Sequence, residues 1–357
     1  MKKLAIALAG VVVSGSSLKL EPVYAHGFIM TPHSHSDLSS TQASQDYLVV
    51  QPGAPGREAY YEASSGLDKP FNLYTFLAKS DETGGAFSLF NFEISPGGGT
   101  PLHTHRNDAE ALYILDGELT VYLADQTQTV SAGSFVYLPV GKPHGFGNLS
   151  TNTVNALSLT TPSGLDKFFE EAGVLSTGNG PPPASAFDFS NILEVLARYG
   201  LEPGTTTLPE PLLDFVVVPP DAGGRPTFDG PFGGQYTSLA TQEETGGEFS
   251  YSIFSLPTQS GLPQLTQSSA GESFYVLDGD LTLQLGNQTT VAAPGTYVYI
   301  PAGKPYSVAN LGTNQVKALS ISVAAVPEPA SWLGLLGVGA YVGSGLVRKR
   351  KQKNSHC

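Results

Sequence analysis

The chain has 357 residues and a formal net charge of −13, with 41 glycines, 27 prolines and only 14% charged residues. That length suffices for two domains of ordinary size, and the acidic balance argues against nucleic acid or an anionic membrane surface as a partner. Short runs rich in Val, Leu, Tyr, Phe and Thr alternate with Gly, Pro, Asn and Asp, which predicts an all-β protein with many turns.

In chain order, residues 1–25 read as a secretory signal peptide. Lys2 and Lys3 precede an apolar run, and Val23-Tyr24-Ala25 makes a cleavage site. Residues 26–65 read as an irregular arm with an early strand near Tyr47–Val50. His26, His33 and His35 lie in this arm. Cleavage after Ala25 would make His26 an N-terminal copper chelator, but solvated loop histidines are the simpler reading. A first β module is expected over 66–162, a helical connector over 163–230 and a second β module over 231–325. In the connector, Leu165-Asp-Lys-Phe-Phe-Glu-Glu-Ala-Gly173 predicts a short helix stopped by glycine. Helical spacing of Ile192, Leu193, Val195 and Leu196 predicts another before Gly200. Residues 326–353 form a tail: Pro327-Glu328-Pro329, an apolar stretch of about 16 to 18 residues that barely suffices to span a bilayer, then Arg348-Lys-Arg-Lys351. Without the two ends, ten Lys and Arg stand against 29 Asp and Glu. The sole cysteine, Cys357, lies beyond the tail, so the core has no disulfide.

The two β modules are copies at an offset of 162 residues. Glu82-Thr-Gly-Gly85 repeats as Glu244-Thr-Gly-Gly247. Tyr113-Ile-Leu-Asp-Gly-Glu-Leu-Thr120 repeats as Tyr275-Val-Leu-Asp-Gly-Asp-Leu-Thr282. Val136-Tyr-Leu-Pro-Val-Gly-Lys-Pro143 repeats as Val298-Tyr-Ile-Pro-Ala-Gly-Lys-Pro305. Six or more short strands per copy suit a small barrel or jelly roll. Asp116-Gly117 between two apolar runs predicts a hairpin, because a type I′ turn needs positive φ.

Chemistry concentrates in the first copy. His103 and His105 are two apart and share one face of a strand. Glu110 follows after a short turn, on the side of its strand that also carries Leu112 and Ile114. His144 comes from a later strand, past Pro139 and Gly141. Three imidazoles and a carboxylate make a mixed N/O site for one divalent transition metal: Fe, Mn, Ni, Co, Cu or Zn. In the second copy the matching positions are Leu265, Gln267, Glu272 and Tyr306. Only the acid survives, so one metal per chain is expected, with Glu272 held by hydrogen bonds. Strand alternation points Arg106 outward, and Phe146 shares the parity of His144.

These residues carry a family resemblance. Gly97, His103, His105, Glu110 and Gly117 match the cupin signature G-x5-H-x-H-x4-E-x6-G. Gly133, Pro139, Gly141, His144 and Asn148 match G-x5-P-x-G-x2-H-x3-N. The chain therefore resembles a bicupin: two tandem double-stranded β-helix barrels joined by a short helical connector. The connector runs Pro162-Ser-Gly-Leu-Asp-Lys-Phe-Phe-Glu-Glu-Ala-Gly173 and Ala197-Arg-Tyr-Gly-Leu-Glu202 resemble the quercetin dioxygenase-like bicupins. That resemblance implies a small aromatic substrate such as a flavonol, O2 as co-substrate, metal held by His103, His105, Glu110 and His144, and Glu110 as general base. A non-catalytic cupin that binds a small ligand or sugar, and a decarboxylase or isomerase, remain as alternatives. The tail resembles the PEP-CTERM sorting signals of Gram-negative bacteria. It implies export to the cell envelope and processing by an exosortase-type enzyme.

Overall fold

The computed structural model describes residues 47–324 except 55, 64–70, 206–212, 231 and 262–267. The leader, the tail, the arm histidines, Leu265 and Gln267 all lie outside the described residues. Among the described residues, no helix is long and apolar enough to cross a membrane.

Two β barrels form, each from two facing sheets. In the first, an eight-stranded sheet runs in the order Val174–Leu175, Ala59–Ala63, Phe71–Ala78, Ser88–Ile94, Val154–Thr161, Ala109–Asp116, Phe135–Leu138, Val216–Val218. The facing sheet runs Leu201–Pro203, Gly99–His105, His144–Gly147, Glu118–Leu123, Gln126–Ser131. Phe76, Phe90, Phe92, Ile94, Leu112, Ile114, Val121 and Phe146 fill the space between them. Leu112 and Ile114 thus point inward, as the alternation predicts. The second barrel repeats the plan around Phe254, Phe274, Val276, Leu281, Leu283, Tyr306 and Val308.

The expected hairpin at Asp116-Gly117 does not form. Ala109–Asp116 pairs with Phe135–Leu138 and Val154–Thr161, whereas Glu118–Leu123 pairs with Gln126–Ser131 and His144–Gly147. Gly117 (φ 87°) is the corner where the chain leaves one sheet for the other, and a Cβ there would lie 3.0 Å from Val154. Gly117 does need its positive φ, but for a crossing between sheets rather than a turn within one sheet. The two-residue hairpin lies just downstream, where Leu123 pairs with Gln126 and Ala124 carries the positive φ of 54°. Its signal is visible only in the second copy, as Gly286-Asn287.

The barrels exchange strands. The arm strand Leu48–Val50 pairs with Tyr297–Ile300 of the second barrel, and the connector strand Val216–Val218 pairs with Phe135–Leu138 of the first. The registers match: Leu48 faces Tyr299 as Val216 faces Tyr137. Before each barrel the offset is 168 rather than 162, so the repeat is longer than the gapless alignment showed. Two arginines follow the same shift. Arg57 grips Glu82 with both Nη atoms (2.6 and 2.8 Å) while Nε donates to Phe76 O. Arg225 does the same with Glu244 and Ser238 O. Such bidentate pairs are the strong kind, and Arg225 pulls the Glu244 carboxyl down to about 2.

Between the barrels lies a third apolar cluster, built reciprocally like a two-fold interface. Phe87 meets Tyr299 edge-on at 5.3 Å, and Tyr137 meets Phe249 edge-on at 5.7 Å. Helices Leu165–Ala172 and Ile192–Arg198 pack on the first barrel through Leu165, Phe168, Phe169 and Val195.

One polar group in this region runs against the packing. Glu248 Oε2 is buried without a hydrogen-bond partner, and burial together with the nearby Asp108 carboxyl pushes Glu248 up to about 7 from its ordinary 4.5. Between those values the folded chain keeps a proton that the unfolded chain has released. Stability therefore falls as pH rises through that window. Glu248→Gln should be more stable than the parent at pH 8, with the gain shrinking below pH 4.5, as read by denaturant unfolding at both pH values.

Candidate metal centre

The two sheets of the first barrel bring their chemistry to one end. His103 and His105 sit on Gly99–His105, and His144 opens the neighbouring strand, directly opposite His103. Close strand approach demands glycine at position 99, where a Cβ would lie 2.2 Å from Phe146 O. Glu110 comes from the facing sheet, on Ala109–Asp116. One ligand atom from each of the four residues lies within 4.8 Å of the others. His105, Glu110 and His144 are buried, and His103 is half-buried at the mouth.

The outer hydrogen bonds decide what these atoms are. His103 Nδ1 lies 3.0 Å from Pro101 O, His144 Nδ1 lies 2.9 Å from Lys142 O, and His105 Nδ1 lies 2.6 Å from Asp108 Oδ2. A carbonyl or carboxylate oxygen only accepts, so each Nδ1 donates and each Nε2 of a neutral ring carries a lone pair. His103 Nε2 and His105 Nε2 are 2.9 Å apart, and His144 Nε2 lies 3.5 Å from Glu110 Oε2. His144 Nε2 is buried with no hydrogen-bond partner. Four lone pairs thus converge with no proton assigned between them, an arrangement that a cation satisfies. The donor set fits a divalent transition metal, with the outer partners fixing the rings as they do around metal-bound histidines.

The electrostatics agree at His103 and Glu110 and run the other way at His105. Burial, then the neighbouring rings of His144 and His105, hold His103 well below the usual imidazole range. Burial would depress His105 too, but the Asp108 charge and hydrogen bond outweigh it and raise its pKa. Burial would raise Glu110, yet contact with His144, the charge of His105 and a 2.8 Å hydrogen bond from Ser158 Oγ lower it.

All four residues singled out in the sequence meet at this point. Arg106 faces outward and pairs with Glu202 of the connector. Phe146 is buried, edge-on to Phe92 at 5.3 Å. Asp108 and Ser158 escaped sequence reading. Asp108 sits three residues after His105 inside the motif's unspecified positions, and Ser158 reaches Glu110 only because their strands pair. In the second barrel, Glu272 Oε1 accepts from Ser268 Oγ (2.9 Å) and Ser322 Oγ (3.0 Å), and the buried Tyr306 stands where His144 does in the first.

The Cupin domain family signature matches residues 90–160 and 252–322. Each barrel therefore carries a cupin domain match, and the fold is a tandem pair of cupin jelly rolls. It is 22% identical over 270 residues to the quercetin 2,3-dioxygenase of Bacillus subtilis (strain 168), covering 71% of this chain and 78% of that one. Among solved structures, it resembles protein YlbA from E. coli with a TM-score of 0.51 at 13% identity, covering 78% of this chain and 91% of that one. It also resembles a mutant of Bacillus subtilis oxalate decarboxylase with a TM-score of 0.51 at 15% identity, covering 78% and 77%. The structural likenesses speak for the fold.

If Asp108 orients His105, Asp108→Asn should weaken divalent metal binding by about 10- to 100-fold without removing a ligand. Chelator-competition titration of the variant against the parent measures this.

Proposed function

We propose that the protein is an exported, metal-dependent bicupin dioxygenase acting on a small oxygenated aromatic, with a flavonol as the reference substrate. The convergence of four lone-pair donors beside an aromatic interior carries the reading. The sequence similarity to a quercetin 2,3-dioxygenase supports it.

His103, His105 and His144 would hold the ion with Glu110. When bound, a divalent metal supplies Lewis acidity toward an enolic hydroxyl and a place for O2. The chain's own residues do the rest. Pro101 O, Asp108 and Lys142 O keep the three rings in one tautomer and orientation. Glu110 stays ionised, with Oε1 held by Ser158. Its Oε2 is left to take the substrate's hydroxyl proton as general base. Phe92 and Phe146, deeper in the barrel, offer an apolar wall that excludes water from the ionised substrate. His103, half-buried at the mouth, marks the side from which substrate and O2 arrive.

The export part of the proposal rests on residues 1–25 and on the tail 326–353, read as a PEP-CTERM signal processed by an exosortase-type enzyme in a Gram-negative envelope. Recovery of the native protein from the envelope or medium without residues 1–25 supports it. Recovery from the cytoplasm with the leader intact would overturn it.

For the chemistry, protein loaded in turn with Fe, Mn, Ni, Co, Cu or Zn should consume O2 in step with loss of a flavonol, and His103→Ala should abolish the uptake. An oxygen-electrode trace with no flavonol-dependent uptake for any of the six metals would sink the reading.

A further inference from the structure

Glu62 and Asn72 face each other across the paired strands Ala59–Ala63 and Phe71–Ala78 in the wall of the first barrel. Asn72 is fully buried. Its Nδ2 donates to Gly99 O and to Glu62 Oε2, both at 3.2 Å. Gly99 O can only accept, which fixes which way the amide points. Gly99 opens the strand that carries His103 and His105, so the Asn72 amide is tied directly to the metal-ligand strand. Tyr74 Oη donates to the same Glu62 oxygen at 3.3 Å. Asn72 Oδ1 is left buried without a hydrogen-bond partner.

This polar group adjoins the aromatic interior of the first barrel, and the Glu110 charge acts on both Glu62 and Tyr74. Tyr74 stacks on Phe92 at 4.2 Å, and Phe92 meets Phe146, two residues beyond His144. Burial, with a contribution from the Glu110 charge, pushes Glu62 up to about 7, so the protonated acid is well populated at neutral pH.

The second barrel provides the contrast. In the same strand register Glu62 becomes Gly230, Asn72 becomes Gly234 and Tyr74 becomes Tyr236. A Cβ on Gly230 would lie 1.9 Å from the Tyr236 ring, and one on Gly234 would lie 2.4 Å from the Phe254 ring. Aromatic rings close that space in the barrel that lacks the three histidines. The carboxyl and amide are present only in the barrel that has them.

We propose that Glu62 and Asn72 form a substrate-positioning wall of the metal pocket, taking a hydroxyl on the part of the ligand remote from the metal-facing oxygens. Asn72 Oδ1 accepts that hydroxyl's proton in a hydrogen bond, and the Glu62 carboxyl group donates to its oxygen. This inference rests on the dioxygenase reading and narrows its substrate class to aromatics hydroxylated at both ends.

The test is anaerobic calorimetric titration of the metal-loaded full chain with two probes. Quercetin carries several ring hydroxyls; 3-hydroxyflavone carries only the metal-facing one. The parent should prefer quercetin. Glu62→Leu, and the gentler Glu62→Asp that withdraws the carboxyl by one methylene, should each weaken quercetin about tenfold, the scale of one hydrogen bond. Both should leave 3-hydroxyflavone and metal content unchanged, and Glu62→Gln should restore quercetin binding. If the variants weaken both flavonols equally, or neither, this inference is overturned while the functional reading stands. If the parent binds neither flavonol, the functional reading falls and takes this inference with it.

Discussion

Three imidazole nitrogens and a carboxylate oxygen are made to face one another with their lone pairs inward. Pro101 O, Lys142 O and Asp108 enforce this by claiming the other nitrogen of each ring. Without a cation, lone pairs 2.9 Å apart are unfavourable, and burial makes protonating His103 costly. The barrel has to hold this arrangement by its own packing. It does so by drawing the ligands from both sheets: the histidines from one, Glu110 from the other. Any slip of one sheet against the other would take the carboxylate away from the rings.

The reciprocal architecture works against such slippage. Each barrel is completed by a strand that precedes the other one, so neither copy is whole without its sister. The Arg57–Glu82 and Arg225–Glu244 forks brace the start of each barrel, and the aromatic contacts between barrels are related by the same two-fold logic. The second barrel, whose Tyr306 replaces a ligand histidine, then has a clear physical role. It supplies half of the interface on which the copy with the four converging side chains packs.

The site was legible because its ligands fall inside two short motifs whose spacing a strand's alternation explains. The two barrels were legible because the 162-residue repeat runs without a gap through their central strands. What escaped has physical causes too. The strand exchange hides behind a six-residue change of offset, from 162 to 168, which moves Arg57 against Arg225 out of alignment. Asp108 sits at an unspecified position of the first motif, while Ser158 and Glu62 meet their partners through strand pairing and burial, which one-dimensional spacing does not encode. Gly117 shows the limit of turn chemistry: the residue reports a positive φ, but whether the chain turns back or crosses to another sheet depends on which strands it later meets.

Among the described residues only the first barrel collects four converging ligand groups, and the proposed reading gives the chain one metal ion. Native mass spectrometry of the chelator-stripped full chain, titrated with a single divalent ion such as Co2+, reads the stoichiometry directly. The account predicts saturation at one ion per chain and none bound by His144→Ala. Saturation at two ions, or one ion retained by that variant, would contradict it.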